Sequence, residues 1–550
     1  MVAGPRMCYL GRTMHNVLMI NPALPLSFWS FSETLAMTGK KALLPPLGLL
    51  TVAALLPDNW TIRLVDCNVR RLTEDDWRGI DLVMITGMLV QRESLLEFIA
   101  QARSRGILTA VGGAYPTTAP QEVLDAGCDF LIQGEGETTI PELVAALEAG
   151  QRSGVFVCRE KPDLALSPTP RFDLINLCDY ESMSLQTSRG CPFACEFCDI
   201  VSLFGRTPRH KTPDQVIAEL EAIRRLGFRG TVFVADDNFI GNRPRAAALL
   251  ARITAWQAEH GEPFNFITQA SVNLGQDVPL IDLLTAANFS YVFVGIESPD
   301  EDVLTAARKH QNVRNPLLAS LQAINANGLS VIGSFILGMD GERAGAGARM
   351  QAFAEAADLP WVMINVLRAL PLTVLWDRLK AEGRLHDGIE ESGWDALTNF
   401  TPERPIETIF AEQVAALTAL YAPSAYLGRV LRATLAMRPT RSSRPGAAPK
   451  AKPDPARVVA QKNPSPDIAS LARLIWRQGV VSQARWQFWR QLIIVARRNP
   501  SRLRRYIVLC GMGENLFAFV RHIKAQAARR RSAPAAGQAG ARLDAAQATS

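Results

Sequence analysis

The chain has 550 residues, of which 48% are hydrophobic and 20% charged. That is too long for one ordinary domain and too apolar for global disorder, and nine cysteines are too few for a secreted disulfide scaffold. The net charge of +6 hides an asymmetry: from residue 437 onward there are 22 Lys/Arg against 4 Asp/Glu, leaving 37 against 49 in the rest. An acidic body with a basic tail points to an anionic partner for the tail: a membrane surface, nucleic acid or the body itself.

Residues 15–150 alternate strand and helix signals. Short apolar runs at 17–20, 61–65, 81–86, 107–111 and 130–132 each end in a polar or glycine turn. Helical stretches lie between them, such as 94–105, with Leu95, Leu96, Ile99 and Ala102 on one face. This alternation predicts an α/β domain over 1–150 with a doubly wound, Rossmann-like parallel sheet, binding ligands at strand carboxyl ends. Residues 151–180 are proline-rich and read as a linker. A second series begins near 183, with strands expected at 184–187, 231–235, 265–268, 291–295, 331–337 and 361–367. Six such units over 181–400 predict a partial β/α barrel with its chemistry at the strand C-termini. Beyond it we expect a helical extension over 401–436 and a disordered linker over 437–466. A basic helical region over 467–526 and a disordered tail over 527–550 complete the chain.

The sharpest chemistry lies in Cys191, Cys195 and Cys198, three thiols within eight residues directly after a predicted barrel strand. Thiolates select zinc, copper(I) or iron–sulfur clusters. A structural zinc would need a fourth ligand, and the nearest histidine is His210. Three thiolates on a four-iron cluster would leave one iron open.

The CxxxCxxC spacing, with Phe197 before the last cysteine, resembles the radical S-adenosylmethionine (SAM) superfamily. The resemblance implies a 4Fe-4S cluster on these cysteines, with SAM chelated at the open iron. It also implies SAM contacts at Asp236, Asp237 and Asn238 after the second strand, and at Glu297 and Ser298 after the fourth. Glycines on the fifth strand, Gly333 and Gly338, fall where family members pack the adenine. A doubly wound domain ahead of such a barrel resembles the cobalamin-binding subclass. That likeness assigns Thr86, Gly112 and Gly113 to cobalamin, and Gly134-Glu135-Gly136-Glu137 is typical of the subclass. The chain departs from many cobalamin domains in one respect: 21–47 contains no histidine to ligate cobalt.

Ser188 to Asn242 and the Trp/Arg-rich C-terminus look most like class B methylases of the hopanoid C-2 methylase type. The likeness implies reductive cleavage of SAM and transfer of a methyl group from cobalamin to an unactivated carbon of a small-molecule or lipid-like substrate. An electron donor such as a flavodoxin or ferredoxin is implied with it. A radical rearrangement or ring closure without methyl transfer is the alternative within the family. A non-catalytic cluster scaffold or redox sensor is the alternative outside it.

Trp476, Trp486, Phe488 and Trp489 stand among many arginines, including Arg473, Arg477, Arg485, Arg490, Arg497, Arg498, Arg502, Arg504 and Arg505. Two readings compete: a peripheral membrane contact and a helical cap docked on the acidic body. No nucleic-acid motif accompanies the charge, so no nucleic-acid partner is expected. Residues 13–32 lack formal charge but are interrupted by Asn16, Asn21, Pro22 and Pro25, and no apolar run reads as a leader. The expected setting is cytoplasmic, with or without membrane association. Cys8, Cys67, Cys128, Cys158, Cys178 and Cys510 are scattered and carry no assigned role.

Overall fold

The computed structural model describes residues 15–386, 397–443 and 468–532. The first sheet consists of β1 (Asn16–Asn21), β2 (Thr61–Asp66), β3 (Leu82–Thr86), β4 (Leu108–Gly112), β5 (Phe130–Gln133) and β6 (Gly154–Val157). All pairs are parallel, in the order β2-β1-β3-β4-β5-β6. Its central strands are apolar runs because helices cover both faces. Val17 and Met19 of β1 join one core with Leu49, Ile140 and Leu143, while Leu18 and Ile20 join the other with Leu95, Ile99 and Ala102. The strand order reverses at β1, so the ligand crevice of such a sheet opens at the ends of β1 and β3. The sequence missed β6, which lies in the stretch read as linker; it is a four-residue edge strand alternately half-buried and exposed, too short to give a periodic signal.

The second sheet holds β7 (Ser182–Leu185), then a two-residue hairpin of β8 (Ser188–Arg189) with β9 (Arg209–His210) follows outside it. It continues with β10 (Gly230–Val234), β11 (Phe264–Gln269), β12 (Phe289–Glu297), β13 (Ser330–Leu337) and β14 (Trp361–Val366). The order β7-β10-β11-β12-β13-β14 is wholly parallel: an open, six-stranded partial barrel. Crossover helices cover its outer face. One of them, Pro213–Arg225, starts with Thr212 and Gln215 in a reciprocal capping box and Pro213 in its first turn. On β11 burial alternates strictly. Phe264 stacks on Trp256 beneath a helix, while Asn265, Ile267 and Gln269 stay partly exposed on the concave side.

The C-terminal helices Ile406–Leu420, Pro423–Ala436, Arg485–Arg498 and Leu503–Ser532 do not form a separate body. Tyr426, Leu427, Val430, Phe488, Val495, Tyr506 and Leu516 share one continuous core with the barrel strands. The last helix reaches Ser532, past the boundary expected at 526. Most of the predicted linker, 444–466, and the tail from 533 lie outside the described residues. No single described helix is long and apolar enough to cross a membrane. Ile406–Leu420 and Pro423–Ala436 pass only as a pair, bent by 65°, and they contribute Ile409, Leu417, Tyr426 and Val430 to the barrel core.

Candidate active site

The carboxyl ends of the barrel strands converge on the cysteine loop. Gly190 enters it at φ +97°, and a Cβ there would lie 2.8 Å from Gly205 O, so only glycine permits this return. Cys191 N donates to Gly205 O (3.2 Å) and Cys198 N to Cys195 O (3.2 Å), which folds the three thiols into one compact turn. All three are half-buried, and Gln311 Nε2 lies 3.4 Å from Cys195 Sγ. Burial, with the Asp199 carboxylate adding to it, pushes the unligated Cys198 thiol up to about 12, and burial also raises Cys191. Metal binding must therefore displace these protons. Among the described residues no three Cys, His, Asp or Glu side chains converge as ligands of one metal ion. Three thiolates of one loop could each take one iron of a four-iron cluster.

The acidic stretch after β10 has divided roles. Asp236 was expected beside SAM, but it is fully buried and accepts from Thr187 N (2.6 Å), Ser188 N (3.0 Å), Ser188 Oγ (2.7 Å) and Thr187 Oγ1. Its carboxyl fixes the corner between β7 and β8, and burial raises its pKa above the ordinary aspartate value. Asp237 accepts from Gly190 N (2.8 Å), and burial lifts its carboxyl to about 6. Asn238 is buried and exchanges hydrogen bonds with Ser271.

At the end of β12, Glu297 adopts φ +64° and is buried in an ion pair with Lys309. Lys309 stands 5.8 Å from the Phe197 ring. Burial opposes its charge, but Glu297, Cys195 and Cys198 outweigh that and hold its pKa above the ordinary lysine value. Ser298 accepts from Asp300 N (3.1 Å) and so caps the next turn. Asn312 ties down the strand end through Gly295 O (3.0 Å) and Ile296 O (2.9 Å), and its buried Oδ1 has no partner. The sequence offered no signal for Lys309 or Asn312, because both come from a short helix-and-turn segment without a motif. Gly333 faces Leu359 and Ile296, so its missing side chain serves strand packing; Gly338 sits at φ +85° where β13 ends.

In the first domain, Thr86, Gly112 and Gly113 do come together. Gly113 sits at φ +109°, and a Cβ there would lie 2.6 Å from Thr86 Oγ1. The glycine is thus demanded by the domain's own packing, and it leaves bare backbone at the ends of β3 and β4, a cradle that fits a bulky ligand such as cobalamin. The loop after β1, without histidine, goes elsewhere. It sends Phe28 and Phe31 into the barrel core, and Trp29 stands 5.9 Å from Phe293 and 6.2 Å from Trp361.

The 134–137 motif joins the two sheets. Glu135 accepts from Arg189 Nη1 (2.7 Å) and Arg209 Nη2 (2.7 Å), and Glu137 grips Arg189 at 2.9 Å through both oxygens. Both carboxylates are buried. Arg189 lies two residues before Cys191, so this bidentate clamp ties the crevice side of the first sheet to the cysteine loop. Beneath it, Lys211 and Glu219 form a second buried pair.

A thiol triad at the mouth of a partial β/α barrel, clamped to a doubly wound domain with a glycine cradle, defines a radical SAM enzyme with a cobalamin domain. Comparisons agree. The radical SAM superfamily matches residues 185–345, the B12 binding domain 37–144, and a domain of unknown function 373–529. An uncharacterised methyltransferase of Synechocystis sp. is 46% identical over 91% of both chains. The hopanoid C-2 methylase of Rhodopseudomonas palustris is 35% identical over 87% of this chain and 89% of its own. The solved cobalamin-dependent SAM radical enzyme OxsB, with aqua-cobalamin bound, shares the fold at a TM-score of 0.57 and 14% identity, covering 94% of this chain and 80% of its own. The chain belongs to the cobalamin-dependent radical SAM methyltransferases, enzymes that use a 4Fe-4S cluster, SAM and cobalamin.

Proposed function

We propose that the chain methylates an unactivated carbon of a lipid-like substrate held on the concave face of the barrel. The observation that carries this is the character of that face. Phe233, Ile267, Phe293 and Trp29 are partly exposed there, and Gln269 and Asn365 supply only neutral amides. Such a surface solvates a large apolar skeleton. The hopanoid C-2 methylase among the relatives supports the same substrate class.

In this reading Cys191, Cys195 and Cys198 hold the cluster. Asp237, Asn238, Glu297 and Ser298 border SAM, and Asp236 acts through Thr187 and Ser188 as a positioning residue. Thr86, Gly112 and Gly113 form part of the cobalamin cradle. When bound, the cofactors supply the electron, the radical chemistry and the methyl group. The protein's own residues orient them: the Glu135 and Glu137 clamp holds the two sheets in register, and the aromatic wall around Trp29 and Phe293 keeps water from the reacting carbon. A flavodoxin or ferredoxin delivers the electrons, the setting is cytoplasmic, and the C-terminal helices give a peripheral membrane contact. The functional units are a cobalamin domain (1–150), a barrel (181–400) and a basic helical region (467–526).

The test is anaerobic turnover of the reconstituted protein with methyl-labelled SAM and a lipid extract of a strain lacking it. Label in one lipid product supports the reading. SAM cleavage without label in any product defeats it.

A further inference from the structure

We infer that the helices Ile468–Trp476 and Arg485–Arg498, with the turn between them, form a docking surface for an anionic phospholipid bilayer. The inference rests on the reading of a lipid-like substrate given above and assigns the membrane contact to particular side chains.

The packing sorts the basic residues into two groups. Four of them serve the body. Arg473 Nη1 donates to Met37 O (2.5 Å), and Arg477 pairs with Glu33 at 2.7 Å. Arg502 donates to Arg438 O (3.0 Å), and Arg505 donates to Ser330 Oγ (3.0 Å) and lies 4.4 Å over the Tyr291 ring. Arg485, Arg490, Arg497, Arg498 and Arg504 are exposed; Arg473 is exposed as well but bonded to Met37. No acidic residue occurs between 468 and 513. The cap and the membrane readings of this region are therefore two faces of one structure.

The aromatic residues are sorted as well. Phe488 is buried, and Trp489 donates its Nε1 to Gly479 O (2.9 Å), so neither is available outside. Trp486 is 75% exposed, Val481 62% and Trp476 61%, and Val480 and Ile493 are exposed too. Trp486, Arg490, Ile493 and Arg497 fall at i, i+4, i+7 and i+11, one stripe of the helix, opposite the buried Phe488, Gln491 and Val495. The Arg485 guanidinium lies 5.9 Å over the Trp486 ring. The turn is held firmly, since a Cβ on Gly479 would lie 2.8 Å from the Trp489 ring. A cavity of about 660 Å³ opens beside it, lined by Val481, Phe517, Val520, Arg521 and Lys524 and also by Glu33 and Glu514, which lie near Arg477.

Charge alone would suit any polyanion. The apolar content selects the bilayer. Trp476, Val480, Val481 and Ile493 offer nothing to a phosphate backbone, whereas large apolar side chains ringed by arginine match the boundary between headgroups and acyl chains.

The experiment uses the full-length, cofactor-loaded protein, because the helices share the barrel core and cannot be deleted without opening it. Co-sedimentation is measured with vesicles of phosphatidylcholine alone and with phosphatidylglycerol added, at low and high salt. We expect binding to the anionic vesicles, weakened by salt, and quenching of tryptophan fluorescence by bromine-labelled acyl chains. Trp476→Ser with Val481→Ser and Trp486→Ser should weaken binding on the order of tenfold or more and remove the quenching. Arg485→Gln with Arg490→Gln, Arg497→Gln and Arg498→Gln should abolish the dependence on phosphatidylglycerol. Iron, cobalamin and SAM cleavage should be unchanged in both variants. Wild-type protein that stays in the supernatant with anionic vesicles overturns the inference. So does binding that survives the apolar replacements, is lost with the arginines and is competed by duplex DNA, which would mark a nonspecific polyanion surface. Failure of lipid methylation with vesicle binding intact would count against the proposed substrate and leave the docking surface standing.

Discussion

The two ends of the barrel are built from opposite materials. At the carboxyl end, buried charges meet, Glu297 on Lys309 and Glu135 and Glu137 on Arg189 and Arg209, beside Asp236 hydrogen-bonded to Thr187 and Ser188. At the amino end, rings meet. Phe28 packs on Phe519 (5.4 Å) and Phe31 on Trp361 (5.3 Å), with Tyr291 6.2 Å from the same tryptophan. The contrast teaches a division of labour. Buried ion pairs fix direction but contribute little net stability, because desolvation offsets their attraction. Aromatic burial is nondirectional and strongly stabilising. The end that must hold cofactors is specified, and the end that must stay closed is glued.

Substitutions at each end can break this contrast. The largest effect is expected at the loop itself: Cys191→Ala, Cys195→Ala or Cys198→Ala should lower cluster absorbance and 5′-deoxyadenosine formation to background. Full iron content with full cleavage in any of them would refute the assignment. At the amino end, Phe28→Ala should cost roughly 3–5 kcal/mol in chemical denaturation, as for other buried aromatics. SAM cleavage per folded molecule should stay at the wild-type level. If cleavage falls while stability holds, the amino end is part of the chemistry and the contrast fails.

Glu137→Gln tests the clamp. It leaves Arg189 only partly paired in a buried setting, at a cost of about 3 kcal/mol. Its distinctive signature should be uncoupling, with more 5′-deoxyadenosine formed per methylated product at unchanged iron and cobalamin content. An unchanged ratio would reduce the clamp to a structural tie. The smallest effect belongs to the flank. Hydrogen bonds from Arg224, then from Arg225, hold the Glu221 carboxyl at about 2, against an ordinary 4.5. The stability it contributes is complete above the unfolded value of 4.5 and is lost as pH falls through about 2. On a partly exposed surface it should amount to ~1 kcal/mol. Denaturation midpoints of wild type and Glu221→Gln should differ at pH 6 and converge toward pH 2.5.

Much of this architecture was legible in the sequence. The first sheet's apolar runs ending in turns gave five of six strands, because burial on both faces leaves an unbroken hydrophobic signal. The cysteine loop was legible because its three thiols are local in the chain. What was hidden depends on contacts between distant segments. Nothing in Phe28-Trp29-Ser30-Phe31 says that it leaves its own domain for the barrel. Nothing near Glu135 and Glu137 names Arg189 and Arg209 as partners. Composition alone grouped Trp486 with Phe488 and Trp489, and only helical packing turned the first outward and the other two inward.

The closure of the amino end by the last helix has a consequence for synthesis. Phe28 meets Phe519, and Ser470 Oγ donates to Met37 O at 2.9 Å, so segments more than 400 residues apart complete the same wall. During translation the barrel strands leave the ribosome long before Leu503–Ser532 exists. Until then Trp361, Tyr291 and Phe31 line an uncovered apolar opening, the kind of surface that draws chaperones or aggregates. Contacts of such sequence separation also make the final docking slow. The wall is therefore finished only once Leu503–Ser532 has been made, well after the cysteine loop has emerged.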